Sequence, residues 1–422
     1  MKIAQLTTYP TIAPRHGGQI RAFFLAHALR YAGHDVRHFA LCEPTHTQAA
    51  RDDVILSKRD LSALHFSPML ADYATSLLAL KEPYFERLAQ HLRAFLPDAI
   101  LLEQPWLFPF VRKLYPNQIP LLLYSAHNIE HTMKAAMLQS VGQSDMNAIA
   151  AIESLESEVC AYASATIACT QHDSEILASM GAKNCIVCSN GVDSLRYKAD
   201  IEQILRKSLA SRSFALFVGS AHVPNALGFW DMLSSDLSYL RPEQLIVVVG
   251  SVGRILHQYA PKKDSILHLL NEQKIKILGE VSRDVLTALL VNANVILLPL
   301  TLGGGSNLKT AEAIVANRPV VATSLAIRGF EFARNFTNFA IADTQEQFIT
   351  ALQAAFAQTQ PPLQKEEQNM RHNLYWGLTL APLAPLVASL ELPSDPAQPV
   401  PPTATKKPLS LSHRTDSAQP QT

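Results

Sequence analysis

The sequence predicts an α/β protein of two doubly wound halves, each built on a parallel sheet, that face one another across a cleft. Three observations carry this. The chain opens as strand, glycine loop, helix, strand. The same rhythm restarts near Phe214. The stretch 294–330 repeats it in its most compact form. Strands that alternate with helices imply parallel pairing, because a parallel pair needs a long crossover between its members.

Residues 2–7 form an apolar run of strand length, followed by a loop through Pro10, Pro14 and Gly17-Gly18. Residues 19–31 then place Ile20, Phe23, Phe24, Ala28 and Leu29 at helical spacing, and Gly33 ends the helix before a strand at 35–41. The pattern continues with helical residues 67–95, strands at 99–102 and 120–125, and one long helical stretch over 130–163. Strands at 165–169 and 185–189 flank a helix at 174–180, and 190–193 is a turn. The second half has strands at 214–219, 244–250, 275–278, 295–300, 319–323 and 339–341, with helices at 226–233, 283–292 and 345–357 between or after them. Residues 364–390 read as a closing helix anchored by Trp376 that packs back toward the first half. The expected division is a first domain at 1–193, a polar linker at 194–212, a second domain at 213–363, the closing segment at 364–390 and a tail at 391–422. That tail is mostly Pro, Ser, Thr, Ala and Lys, which bury too little apolar surface to offset their ordering entropy, so it is expected to be disordered.

A chain of 422 residues suits two domains of roughly 150–200 residues each. Its 36 basic and 36 acidic side chains leave no excess to neutralise phosphate backbones, which argues against a nucleic-acid binder. No apolar run reaches the ~18 residues of a membrane span, and MKIAQLTTYP reads as a strand rather than a leader, so a cytoplasmic protein is expected. Five cysteines indicate no disulfide framework. Cys185 and Cys188 have CxxC spacing, but Cys160 and Cys169 do not supply a second pair, and the run reads as buried strand rather than a metal or redox site. No glycine fingerprint for dinucleotides follows a strand, and no P-loop occurs.

Within 294–330, an apolar strand breaks at Gly303-Gly304-Gly305, Ser306 occupies the expected N-cap, and 308–316 reads as a short helix. Asn317 can close it in a left-handed conformation, and Pro319 forbids its continuation. Such a unit offers free N–H groups to a phosphate or a sugar. Lys309 and Glu312 share one face there, a cation for phosphate beside a carboxylate for hydroxyls; the alternative is a tight turn with an exposed ion pair.

On these residues the chain resembles the GT-B glycosyltransferases, in particular the large retaining nucleotide-sugar family with a Glu-x7-Glu signature. The resemblance runs from Met1 to about Trp376. It rests on GG-x2-R-x3-LA-x-AL-x3-GHDV at 17–36, YSAHNIE at 124–130, ACTQHDSEIL at 168–177, SNGVD at 189–193, FVGSAHVPN at 217–225, LGEV at 278–281 and the glycine unit. It implies two Rossmann-like domains, the first for the acceptor and the second for the donor. By resemblance, Gly17 and Gly18 lie against the donor diphosphate and the acceptor. Arg21 faces either the cleft or solvent. His127, at a strand's carboxyl end, stands near the transferred sugar or the reacting centre, and Glu312 holds the ribose hydroxyls.

Two departures stand out. The position of the family's first glutamate is Gly304, and the Arg and Lys that clamp the diphosphate are replaced by Ser220 and Asn225. A subset of relatives shares the G-x-G-x-N-x-K arrangement, in which Lys309, backed by Gly304, Gly305 and the amides of Ser306 and Asn307, supplies the lost charge. The implied activity is metal-independent hexosyl transfer with retention in polysaccharide or glycoconjugate synthesis, catalysed through His127 and Lys309. A nucleoside diphosphate sugar is the co-substrate, with no cofactor. The acceptor is a glycan or lipid-linked molecule, shaped by loops at 10–19 and 45–66, with His127 and Arg21 near it and peripheral association at the inner membrane face. The alternatives are a non-catalytic nucleotide-sugar or partner-binding protein, and an epimerase or hydrolase on the same fold.

Overall fold

The computed structural model describes residues 1–44, 50–260, 271, 273–303, 306–358, 364–392 and 397–401. Gly304 and Gly305, part of the 45–66 loop and most of the tail therefore lie outside the described residues.

Each half folds around one sheet. The first has the strands β1 (Lys2–Thr7), β2 (Asp35–Cys42), β3 (Val54–Ile55), β4 (Ala99–Glu103), β5 (Leu121–Ser125), β6 (Ala165–Ala168) and β7 (Cys185–Val187), in the order β3-β2-β1-β4-β5-β6-β7. The second has β8 (Ser213–Val218), β9 (Gln244–Val249), β10 (Ile275–Gly279), β11 (Val295–Leu298), β12 (Val320–Ala322) and β13 (Phe339–Ile341), in the order β10-β9-β8-β11-β12-β13. The strand pairs are parallel, with Ile3 opposite Val36 and Ala99 in the first sheet and Ala215 opposite Ile246 and Val295 in the second. Helices cover both faces, which is why these strands are apolar on both sides. In β4, Ala99 and Leu101 join one core while Ile100 and Leu102 join the other; in β8, Phe214 and Leu216 separate from Ala215 and Phe217 in the same way. The strand order reverses between β1 and β4 and again between β8 and β11, so each sheet opens a crevice at those carboxyl ends.

Several expectations need correction. Gly17 and Gly18 do not sit in a loop but form the first turn of helix Gly17–Tyr31, because His16 caps it in a reciprocal box with Gln19. The stretch over 130–163 is two helices, Glu130–Ser140 and Met146–Tyr162, broken where Gly142 adopts φ 69°. Helix Phe108–Leu114, not anticipated, fills the crossover from β4 to β5. The polar 194–212 connection contains helix Ala199–Ser208, whose Leu205 joins the core of the second half. The closing segment is three short helices, Lys365–His372, Trp376–Thr379 and Leu383–Ser389, since Pro382 and the turn at Asn373 interrupt it. It does return to the first half: Trp376 stacks on Phe24 with ring centroids 4.8 Å apart, and Leu380, Leu383 and Val387 share a core with Ile3 and Leu25. Residues 397–401 are seated rather than loose, because Val400 donates to Leu114 O (2.8 Å) and accepts from Arg93 Nε (2.6 Å). Among the described residues no helix is long and apolar enough to cross a membrane.

Candidate functional site

The two crevices face each other, and the walls between them are polar. In the first half, β4 ends in Glu103 and β5 leads into His127, so adjacent parallel strands deliver the two side chains side by side. His127 Nε2 lies 2.8 Å from Glu103 Oε2, and Gln5 Nε2 donates to Glu103 Oε1 at 2.6 Å. Burial alone would raise the Glu103 carboxyl, but the hydrogen bonds from His127 and Gln5 outweigh it and the net shift is downward. Burial pushes the His127 imidazole down against the opposing pull of Glu103. A neutral ring beside a carboxylate carries its proton on Nε2, which leaves Nδ1 as an acceptor. Nδ1 faces the first turn of helix Gly17–Tyr31: a Cβ at Gly18 would stand 3.5 Å from it and 3.2 Å from the Tyr9 hydroxyl.

Deeper in this wall, Lys134 Nζ donates to Asp72 Oδ2 at 2.8 Å, and Thr8 Oγ1 donates to Asp72 Oδ1 at 3.1 Å. Burial opposes ionisation of Asp72, yet Lys134 prevails and its carboxyl is shifted down. Glu130, fully buried and accepting from Gln104 Nε2 at 2.8 Å, is raised to about 7 by burial, with Lys134 opposing and Glu156 adding to the rise. A helix start alone would have held it low.

The second wall is formed by the loop after β8 and by helix Leu308–Ala316. The N-cap of that helix is Asn307, not Ser306; the Asn307 side chain makes no cap bond, and Ser306 is turned into the first half instead. Asn317 closes the helix at φ 51°, as its sequence indicates. Lys309 Nζ donates to Asn225 Oδ1 at 2.7 Å and lies 5.8 Å from the centre of the Phe217 ring. Asn225 in turn donates to Ser220 O at 3.0 Å. Among the described residues no carboxylate stands within ion-pair distance of Lys309, and burial lowers its ammonium to about 7. Glu312 does not pair with Lys309; it is held by Arg283, at the start of helix Arg283–Asn292. His222 bridges the walls electrically: burial lowers its imidazole, and the charges of Lys134, Asp72 and Lys309 all act on it.

Direct contacts join the walls. Arg15 Nη1 meets Glu280 Oε2 at 3.1 Å, and a Cβ at Gly17 would stand 3.5 Å from Leu308 Cδ1. Arg21 takes neither expected position. It is buried below the cleft, where Nη1 donates to Cys188 O (2.8 Å) and Asn190 Oδ1 (3.2 Å). The structure brings Ser220, Asn225 and Lys309 together on the second wall and Gly18 beside His127 on the first, with Gly17 against Leu308; Glu312 is turned to Arg283, Ser306 is bound to Asn190, and Arg21 lies behind them. Sequence reading missed Glu103, Asp72, Lys134 and Arg283. Glu103 had a legible signal, an acid that terminates an apolar strand at its carboxyl end; the others come from separate helices and had none. Among the described residues no three His, Cys, Asp or Glu side chains converge as metal ligands would, and the five cysteines are free.

Residues 15–196 match the family model described as Glycosyltransferase Family 4, and residues 212–358 match the model described as Glycosyl transferases group 1. The chain carries a glycosyltransferase domain in each half. Among solved structures, sucrose-phosphate synthase from Thermosynechococcus elongatus is similar with a TM-score of 0.69 at 15% identity, covering 92% of this chain and 98% of that one. HepE from Anabaena, in complex with UDP and glucose, gives a TM-score of 0.60 at 16% identity, covering 92% and 100%. WaaG, a glycosyltransferase involved in lipopolysaccharide biosynthesis, gives 0.59 at 16% identity with the same coverage. Likenesses at such identities show the fold, and that fold is GT-B. No curated protein sequence matches the chain. Each half thus matches a glycosyltransferase family model, and the two halves together have the GT-B fold.

Proposed function

We propose that this glycosyltransferase transfers a hexosyl group, with retention at the anomeric carbon, from a nucleoside diphosphate sugar to an acceptor hydroxyl, without a metal or other cofactor. One observation carries the reading. Lys309 has no carboxylate partner among the described residues and is set in the first turn of a helix whose N-terminal amides have no side-chain cap. That is an arrangement waiting for an anion, and a diphosphate fits it. Glu312, one turn on, can accept from ribose hydroxyls while Arg283 orients it. In the transfer, the bond from the anomeric carbon to the diphosphate oxygen breaks, the acceptor oxygen takes its place, and the acceptor proton leaves with the diphosphate. Charge grows on the leaving group, so preorganised donors there lower the barrier, about 3–4 kcal/mol for a well-placed one. Gly17 and Gly18 let the first half approach the reacting sugar, and His127 Nδ1 offers an acceptor beside it.

The acceptor belongs in the first half, near Tyr9 and Asp72; a glycan, free or on a lipid carrier at the inner membrane face, suits hydroxyl-binding groups of this kind. HepE is described in complex with UDP and glucose, which makes UDP-glucose the first donor to try. Ser220 and Asn225, in place of cations, favour a second reading as a binding module. The test is binding and turnover across a panel of nucleoside diphosphate sugars, with Lys309→Ala and Glu312→Ala alongside. A donor that binds, turns over and depends on both residues supports transfer. Binding without turnover, with any acceptor offered, supports the module instead. No binding at all sinks both.

A further inference from the structure

Four parts of the chain meet where the first half gives way to the second. Asn190 is 7% exposed, and its Oδ1 accepts from the buried Arg21 guanidinium. With the oxygen turned to Arg21, the amide nitrogen must point the other way, and Asn190 Nδ2 donates to Ser306 O at 2.7 Å. The Asn190 backbone N–H reaches Ser306 Oγ at 3.4 Å. The first half thus holds, through two hydrogen bonds from Asn190, the residue just ahead of the N-cap of helix Leu308–Ala316.

The grip has a fixed base. A Cβ at Gly191 would fall 2.7 Å from Thr379 Oγ1 and 2.9 Å from Trp376 Cα, so only glycine lets the returning closing segment pass this close. Val192 N donates to Leu374 O (2.8 Å) and Trp376 N to Val192 O (3.2 Å), which prevents the segment from sliding. Arg21 itself is 1% exposed, and its Nε and Nη2 have no partner among the described residues. A buried cation with unmet donors is costly, so a position that merely filled space would favour an apolar side chain.

We propose that Arg21 and Asn190 are positioning residues for the donor site. Through Ser306 they set the direction of the first-turn amides and of Lys309, so that the first half tunes donor affinity without touching the donor. The inference rests on the reading of that helix as the diphosphate site.

Asn190→Asp separates the roles. It keeps an oxygen for Arg21 and adds charge complementarity, but it removes the N–H donor and turns a carboxylate on Ser306 O. Hydrogen exchange on the free protein is expected to quicken about 10-fold at residues 306–311, from the loss of one hydrogen bond, with the rest of the chain and the melting temperature unchanged. The dissociation constant for UDP-glucose is expected to rise roughly 5–20-fold. Arg21→Lys, which keeps the charge and loses the fork, should show a smaller change at the same residues, and decides the matter if the first variant does not fold. Unchanged exchange and affinity would overturn the proposal, as would losses spread over the whole chain with a lowered melting temperature. If wild type binds no nucleotide sugar, the donor-site reading fails; exchange at 306–311 still decides whether Asn190 holds Ser306.

Discussion

Replacing Lys309 by Met keeps most of the stem and removes the charge. Burial brings this ammonium from an ordinary 10.5 to about 7, so at neutral pH the free protein holds it only about half protonated. By the usual conversion that shift is a penalty of about 3–5 kcal/mol on the charged form. A bound diphosphate offsets the penalty and raises the ammonium again, so binding takes up about half a proton at pH 7. Lys309 is charged in both states well below pH 7, and affinity is greatest there. Above pH 7 the free protein loses the proton first, and affinity falls about tenfold per pH unit until the complex itself titrates. Losing one charge-assisted hydrogen bond, worth about 1.5–3 kcal/mol, weakens the donor roughly 10- to 150-fold in Lys309→Met and flattens the pH profile. Titration calorimetry with UDP-glucose in two buffers of different ionisation enthalpy reads affinity and proton uptake together. The sugar diphosphate is a diester with no group titrating near neutrality, so the uptake belongs to the protein. A variant that binds as tightly as wild type, or takes up the same proton, would refute the placement of the anion.

Glu312→Gln is expected to weaken the same donor by roughly 10- to 100-fold, the range for hydrogen bonds to a charged acceptor. A 2′,3′-dideoxy donor should show no further loss in that variant, and a full additive loss would remove Glu312 from the ribose. Glu130 is raised from an ordinary 4.5 to about 7, so the unfolded chain ionises before the folded one and stability from this site drains away as pH rises from about 4.5 to 7. Glu130→Gln should therefore gain about 3 kcal/mol over wild type in urea unfolding at pH 8 and nothing at pH 4. An identical pH dependence in the two proteins would contradict this. Trp376→Ala removes a 5% exposed ring stacked on Phe24, a loss of about 3–5 kcal/mol that urea unfolding of the first half can read. A loss below about 1 kcal/mol would mean that the closing segment does not brace the first half.

The strands were readable because each is an apolar run buried on both faces, and their alternation with helices was enough for two parallel sheets. The least accurate assignments were those where local pattern competes with capping. Gly17 and Gly18 read as a loop by propensity, but the box between His16 and Gln19 starts the helix ahead of them. Ser306 and Asn307 are equally good N-caps by composition, and hydrogen bonds donated by Asn190, 116 residues away, hold Ser306 out of that position. Lys309 and Glu312 were recognisable as a polar pair on one helix; that each answers to a different neighbour, Asn225 and Arg283, was not.

By itself, then, the sequence determined the two-sheet architecture, the carboxyl-end placement of His127, and the glycine unit that leads into Lys309 and Glu312, since these follow from hydrophobic period and local turn chemistry. Tertiary structure alone decided which charges are matched. Glu103 meets His127, Asp72 meets Lys134 and Arg21 meets Asn190 across separations of 24, 62 and 169 residues. No short-range pattern encodes such pairs. Their ionisation is set by burial and by the neighbours that the fold supplies, which is why Lys309 reads as an ordinary lysine in the chain and as one with its charge disfavoured in the cleft.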